Sequence, residues 1–436
     1  MRTRSVYWVL GICWATIVFD GYDLIAFGSV LPDLLRYRAW GLDAAEAGRI
    51  GSLALVGMLL GALVAGTVTD VLGRRRIMLS CLAWFSVAMP LTGLAPNPAV
   101  FGLLRFATGL GLGGVVPTAI ALTIEYSPSA RRQLHNALMY SGYSAGGVLA
   151  AVLALVVLPA GGFRMMFFLG AAPLVLILPL AYWLLPESVS FLVARGREEE
   201  ARRYAARYRI EVPGVAATAA ERPRALESIR LLFSRRYLRG TVVFWLISLI
   251  GLLLVYGLNT WLPEVMRRSG YSLGSSLVFL LVFNAGAVVG VIAAGALADR
   301  IGERLVVAGA FLVAAVSVLL LASRPPAGPL LVLTAVAGFG ANTQTLVNAF
   351  VGGHYPPAAR ATALGWALAV GRIGGIIGPT YGGLLVTAVQ NGTLGAGWSF
   401  YGFAIPAVVA AVAIPLVPRS RGADDDRKER TDAVRA

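Results

Sequence analysis

Asp20 and Asp23 stand one helical turn apart inside an apolar run, residues 6–31, that is long enough to cross a bilayer. A carboxylate at that depth costs about 2.5–3.5 kcal/mol on insertion scales, so a pair of them implies a use. Spacing i, i+3 puts both on one helix face, aimed together at a protein-lined interior. Two carboxylates in a low dielectric repel if both ionise, and taking up a proton relieves them, which is the chemistry of a proton carrier. A buried ion pair or a water-bound polar patch is the structural alternative. Gly21, between the two, permits close helix approach.

Two arginines supply the matching charge. Arg105 leads Arg105-Phe-Ala-Thr-Gly109-Leu-Gly111-Leu-Gly113-Gly114 in the apolar run 99–122. A buried guanidinium needs an anion, and Asp20 or Asp23 is the nearest suitable kind. Arg105 also lies about two turns from the expected outer end, where an arginine can snorkel to water instead. Arg372 sits midway along the run 361–388, among Gly371, Gly374 and Gly375, where snorkelling is hard. Its planar fork of donors suits an organic carboxylate, with an ion pair to an aspartate as the resting state. Tyr256, Asn259, Asn284, Asn342, Gln344 and Asn348 could complete a mostly apolar, amphipathic site, with Phe19 and Tyr22 stacking on a ring. Asn and Gln in such helices also serve as interhelical glue, and Trp261 fits an interfacial aromatic belt.

The elements that must hold these residues are membrane helices. Hydrophobic residues make up 58% of the 436 and charged residues 14%, with mean hydropathy +0.75, well away from a soluble domain. Apolar runs fall near residues 6–31, 49–71, 77–95, 99–122, 136–158 and 163–185. Six more fall near 240–263, 276–298, 305–322, 329–352, 361–388 and 396–417. The charge of +15 is concentrated in alternate loops, the positive-inside pattern, which places both termini in the cytoplasm. That distribution argues for anionic lipid headgroups as partners and against nucleic acid. Arg2 and Arg4 precede an apolar run without a small-residue cleavage pattern, so the run reads as a retained first helix. Cys13 and Cys81 fall in apolar runs and read as small core residues, not as a disulfide or metal framework.

An internal repeat divides the chain. Gly66-Thr-Val-Thr-Asp70-Val-Leu-Gly73-Arg74-Arg75 follows the second run, and Gly295-Ala-Leu-Ala-Asp299-Arg300-Ile-Gly302-Glu303-Arg304 follows the eighth. Both read G-x-x-x-D-x-x-G-x-R, at equivalent places in two halves, the build of a secondary transporter. The chain here resembles the major facilitator superfamily over nearly all its length. The first copy departs from that motif at Val71, where a basic residue is usual, and the second keeps Arg300. Asp20-Gly21-Tyr22-Asp23 is similar to the D-G-x-D signature of the aromatic acid:proton symporters. Tyr355-Pro356-Pro357-Ala-Ala-Arg360-Ala-Thr362-Ala-Leu-Gly365-Trp366, continuing to Gly371-Arg372 and Gly378-Pro379, resembles the same family around its eleventh span.

The expected fold is an all-α membrane protein, twelve transmembrane helices in two six-helix bundles. Its parts are an N-terminal bundle (1–185), a cytoplasmic linker with an amphipathic helix (186–239), a C-terminal bundle (240–418) and a disordered tail (419–436). The resemblance implies a proton-coupled importer, in a bacterial inner membrane, of small aromatic carboxylates such as 4-hydroxybenzoate or benzoate. Asp20, Asp23, Arg105 and Glu125 would couple the proton. Gly66, Asp70, Gly73, Arg74, Arg75, Asp299, Arg300, Arg304 and Arg360 would serve gating. Rival readings are a symporter of quinate, shikimate, muconate or another dicarboxylate, and a transporter-like sensor. No Walker-type loop, His-rich metal site or nucleophile–base set is present, so no enzyme, cofactor or metal is expected. One chain carries both halves, so a monomer suffices.

Overall fold

The computed structural model describes residues 3–128, 131–208, 210, 225–342 and 344–418, and for a few of these, Asp70 and Asp299 among them, the backbone only. Every regular element there is helical. The first series is α1 (Thr3–Arg36), α2 (Ala44–Leu72), α3 (Arg74–Gly93), α4 (Pro98–Tyr126) and α5 (Arg132–Leu169), then the short α6 (Ala172–Leu176) and α7 (Leu178–Leu184). Three short helices follow, α8 (Val189–Ala194), α9 (Glu198–Tyr208) and α10 (Ala225–Leu232). The second series is α11 (Leu238–Arg268), α12 (Leu273–Ile301), α13 (Glu303–Leu321), α14 (Ala327–Ala341), α15 (Gln344–His354), α16 (Pro357–Gln390) and α17 (Trp398–Ala413).

Among the described residues, ten helical stretches are long and apolar enough to cross a bilayer. The sixth apolar run is shorter, because its helix breaks at Ile177. α16 has the length, 34 residues, but Arg372 and a series of glycines dilute its apolar character. Helix ends are set by polar caps that hydropathy does not register. Asp43 accepts from the Glu46 amide at 2.6 Å and starts α2 ahead of the expected 49, and Asn97 caps α4 through the Val100 amide at 2.9 Å. The expected break between runs 136–158 and 163–185 is instead a kink at Gly162 (φ 63°), past which α5 continues to Leu169. In the linker α9 is amphipathic, with Ala201, Ala205 and Tyr208 buried and Arg202 paired to Glu198 at 2.8 Å. The tail 419–436 lies outside the described residues.

The sequence repeat is also a repeat of geometry. Gly73 ends α2 with φ 92° and ψ 154°, and Gly302 ends α12 with φ 91° and ψ 145°, a region open essentially to glycine alone. Two residues on, Arg75 donates to the Tyr182 carbonyl in α7 and Arg304 to the Pro415 carbonyl in the turn just after α17, each at the end of its series. α1 packs chiefly on α5 and α2 on α4, and α11 on α16 and α12 on α14 repeat that order. The two series meet where α2 lies on α16, α1 on α11 and α5 on α12. Ser52 donates to the Ile376 carbonyl at 2.5 Å and faces the Thr380 hydroxyl at 2.7 Å, tying α2 to α16 near the α1–α2 loop. Trp261 is no interfacial belt residue: it is fully buried and donates to the Pro379 carbonyl at 2.7 Å.

Candidate functional site

Asp20 and Asp23 are 1% and 0% exposed in the middle of α1, yet their surroundings differ. Asp23 Oδ1 accepts from Arg105 Nη1 at 2.5 Å, and that arginine is itself only 1% exposed. The guanidinium stacks near Phe27 (5.3 Å) and Phe167 (6.0 Å), aromatic faces that favour a cation in a dry setting. Arg105 is therefore buried and paired, not snorkelling. Asp20 has no such partner: its Oδ1 is buried without a hydrogen bond.

The opposite charge within electrostatic reach of Asp20 is Arg372 of α16. Arg372 is partly buried, and its Nη1 has no hydrogen-bond partner either. The resting ion pair expected of Arg372 does not form: Asp23 pairs with Arg105, while Arg372 and Asp20 stand within electrostatic reach, each with an unpartnered atom. Tyr140 and Tyr143 of α5 and Tyr256 of α11 lie in the same field, each sensing both Arg372 and Asp20. Glycines bring them there. A Cβ on Gly21 would collide with the Tyr143 backbone, and one on Gly375 would sit 2.8 Å from the Tyr256 ring. Tyr143 is therefore held against α1 beside Asp20, and Tyr256 against α16 one turn from Arg372.

The other candidates scatter along the two series. Asn284 donates to Asn259 at 2.9 Å, joining α12 to α11, and both are buried. Gln344 donates to Asn348 at 3.1 Å within α15, leaving Gln344 Oε1 buried and unpartnered. Asn342 bonds back to the Gly338 carbonyl at 3.0 Å as the cap of α14. Phe19 packs on Tyr22 at 5.9 Å, but Tyr22 is fully buried and its hydroxyl donates to the Met166 carbonyl at 2.7 Å. That bond makes Tyr22 part of the α1–α5 contact instead of a wall open to a ring.

Glu125 is not among these groups. It accepts from Arg74 at 2.5 Å and from Ser188 and the Ser190 amide at 2.7 Å each, at the end of the molecule bearing the α2–α3 loop. Beside it Glu187 accepts from the amides of Arg75 and Ser188 at 2.9 Å. A cavity of about 420 Å³ opens there, lined by Arg75, Arg76, Arg195, Arg197, Glu187 and Glu200. Gly66, Arg300 and Arg360 are exposed, and the Asp70 and Asp299 side chains lie outside the described residues. No cluster able to hold a metal ion occurs among the described residues.

Sequence reasoning missed the tyrosines of α5. Asn136, Tyr140, Tyr143 and Gly147 recur at i, i+4, i+7 and i+11, one helix face. Leu134 and Leu138, 56% and 54% exposed, mark a different face, and Tyr140 is 43% exposed about a third of a turn away from them. Along the polar face the Oδ1 of Asn136 and the hydroxyl of Tyr143 are buried without partners.

The Major Facilitator Superfamily profile matches residues 13–323 and 276–436. The chain belongs to that superfamily. Its relatives include the benzoate transport protein of Acinetobacter baylyi, 36% identical over 92% of this chain and 87% of that protein. The gentisate transporter of Corynebacterium glutamicum is 36% identical over 94% and 86%, and a 4-hydroxybenzoate transporter of Acinetobacter baylyi 32% over 93% and 90%. Among solved structures, the D-xylose-proton symporter superposes with a TM-score of 0.75 at 18% identity, covering 96% of this chain and 99% of that one. That likeness carries the fold. As a facilitator the chain is a multi-pass inner-membrane transporter and not an enzyme.

Proposed function

We propose that this facilitator imports small aromatic carboxylates together with protons, by alternating access around Asp20 and Arg372. The observation that carries the reading is a buried carboxylate and a partly buried guanidinium within electrostatic reach of one another, each with an unpartnered atom. Such groups are costly in a membrane unless a mobile proton and a mobile anion complete them. The relatives named for benzoate, gentisate and 4-hydroxybenzoate supply the substrate class.

In this reading the two aspartates divide the work. Asp23, neutralised by Arg105, is a fixed charge pair, and Asp20 takes up the proton. Arg372 binds the carboxylate, and an apolar surround with Tyr256, Asn259 and Asn284 receives the ring. The proposed topology is twelve crossings in two bundles, residues 1–185 and 240–418, with both termini and the linker 186–239 cytoplasmic. The ties between α2 and α16 then close the outer side. The Arg74–Glu125 and Glu187 contacts and the paired glycine loops form the inner gate, where the basic cavity suits anionic headgroups.

Reconstituted protein tests this directly. Benzoate or 4-hydroxybenzoate should accumulate when the outside is acidic, and Asp20→Asn should abolish accumulation above equilibrium. Concentrative uptake by that variant at the wild-type level overturns the coupling scheme. Binding of quinate, shikimate or muconate in place of every aromatic acid tried would move the substrate class, since only a bound compound raises the melting temperature.

A further inference from the structure

We infer that Tyr143 is a second carboxylate-binding residue, its hydroxyl donating to the same substrate anion that Arg372 holds. The inference rests on the reading of Asp20 and Arg372 as proton and carboxylate sites, and adds a residue that neither the motifs nor the relatives assign. Polar atoms buried here without a close hydrogen bond include Asp20 Oδ1 on α1, Tyr143 Oη on α5, whose hydroxyl adjoins that of Tyr256, and Arg372 Nη1 on α16, with Asp23 Oδ2 and Arg105 Nε behind them. Buried polar atoms generally find partners, and unpartnered ones on three helices that meet here are groups a bound ligand can complete. Tyr143 is tied to its place by backbone: α5 lies so close to α1 that Gly21 could carry no side chain, which sets the Tyr143 backbone against α1 next to Asp20.

The inventory of donors specifies the ligand. Arg372 Nη1 can only donate, a phenol hydroxyl can do either, and Asp20 donates only when protonated. A carboxylate is acceptor-only and has room for several donors. Arg372, Tyr143 and protonated Asp20 are therefore matched to one anion, whereas ionised Asp20 would repel it. The charged and titratable groups facing Asp20 are Arg372 from α16, Tyr140 and Tyr143 from α5, Tyr256 from α11, and Asp23 on its own helix with Arg105 of α4 behind it. Arg105 is engaged by Asp23, which leaves Arg372 and the phenol hydroxyls as donors near Asp20, and of these tyrosines Tyr143 is the one whose backbone lies against α1 at Gly21. The proton and the anion then meet in one hydrogen-bonded cluster, and binding of each favours the other.

Titration of the purified full-length chain with benzoate and with 4-hydroxybenzoate, at about pH 6 and about pH 8, tests this. Tyr143→Phe should keep the wild-type melting temperature and weaken both acids roughly tenfold or more at the lower pH, the loss of one hydrogen bond to a charged group. Tyr143→His, which restores a donor, should recover part of that loss. Arg372→Gln should abolish binding. Wild-type affinity in Tyr143→Phe, with Arg372→Gln inactive, overturns the role of Tyr143 alone. Wild-type affinity in Arg372→Gln overturns the reading beneath it as well.

Discussion

Asp20 and Asp23 differ by three positions in sequence and by one partner in space. Removing that partner from Asp23 leaves a buried carboxylate unpaired, at a cost of about 3–5 kcal/mol for buried ion pairs. Arg105→Gln should accordingly lower the melting temperature sharply in detergent, and Asp23→Asn in the same background should recover part of the loss. Asp20→Asn is expected to behave in the opposite way: it removes a charge that no bond stabilises, so the fold should melt at or above the wild-type temperature while proton-driven uptake disappears. A differential scan of the three variants beside an uptake assay checks both. Equal destabilisation by Asp20→Asn and Arg105→Gln would mean that the two carboxylates share one structural role.

At the scale of the helices, small residues decide what can approach what. The loops after α2 and α12 turn on Gly73 and Gly302, whose φ near +90° excludes other residues at a cost of about 1–3 kcal/mol. Gly73→Ala and Gly302→Ala should each destabilise by that order, measurable as a shift of the melting curve, with Gly302→Ala acting on the second series alone. Gly21 acts through contact, not conformation. Gly21→Val would drive α1 away from α5 at the Tyr143 carbonyl. Loss of substrate binding should follow even where the protein still reaches the membrane, which fluorescence size-exclusion of a tagged chain would show.

For the molecule as a whole, the proposed cycle has to break the tie between α2 and α16. With Cys13 and Cys81 replaced, a Ser52→Cys/Thr380→Cys pair should form a disulfide on mild oxidation, because the two hydroxyls already lie 2.7 Å apart. Uptake should stop on oxidation and return on reduction. Unimpaired uptake by the crosslinked protein would place the moving contact elsewhere. In the proposed scheme the energy for the cycle enters at Asp20 and is expressed some distance away at this tie and at the Glu125 and Glu187 contacts, coupling through two packings of rigid helices.

Much of this was legible in the chain. Apolar length and charge distribution specify helices in a bilayer, since unsatisfied backbone cannot exist in lipid, and the duplicated Gly-x-x-x-Asp loop announces two related series. Intramembrane Asp20, Asp23, Arg105 and Arg372 stand out for the cost of placing them there. Sequence could not say which arginine answers which aspartate, because that depends on the rotation of α4 and α16 about their axes. It was silent on Tyr143, an aromatic among aromatics until α5 packs against Gly21, and it gave Tyr22 and Trp261 open surfaces that both lack. Those assignments arise only when helices distant in sequence share a surface, where a single backbone contact selects which side chains meet.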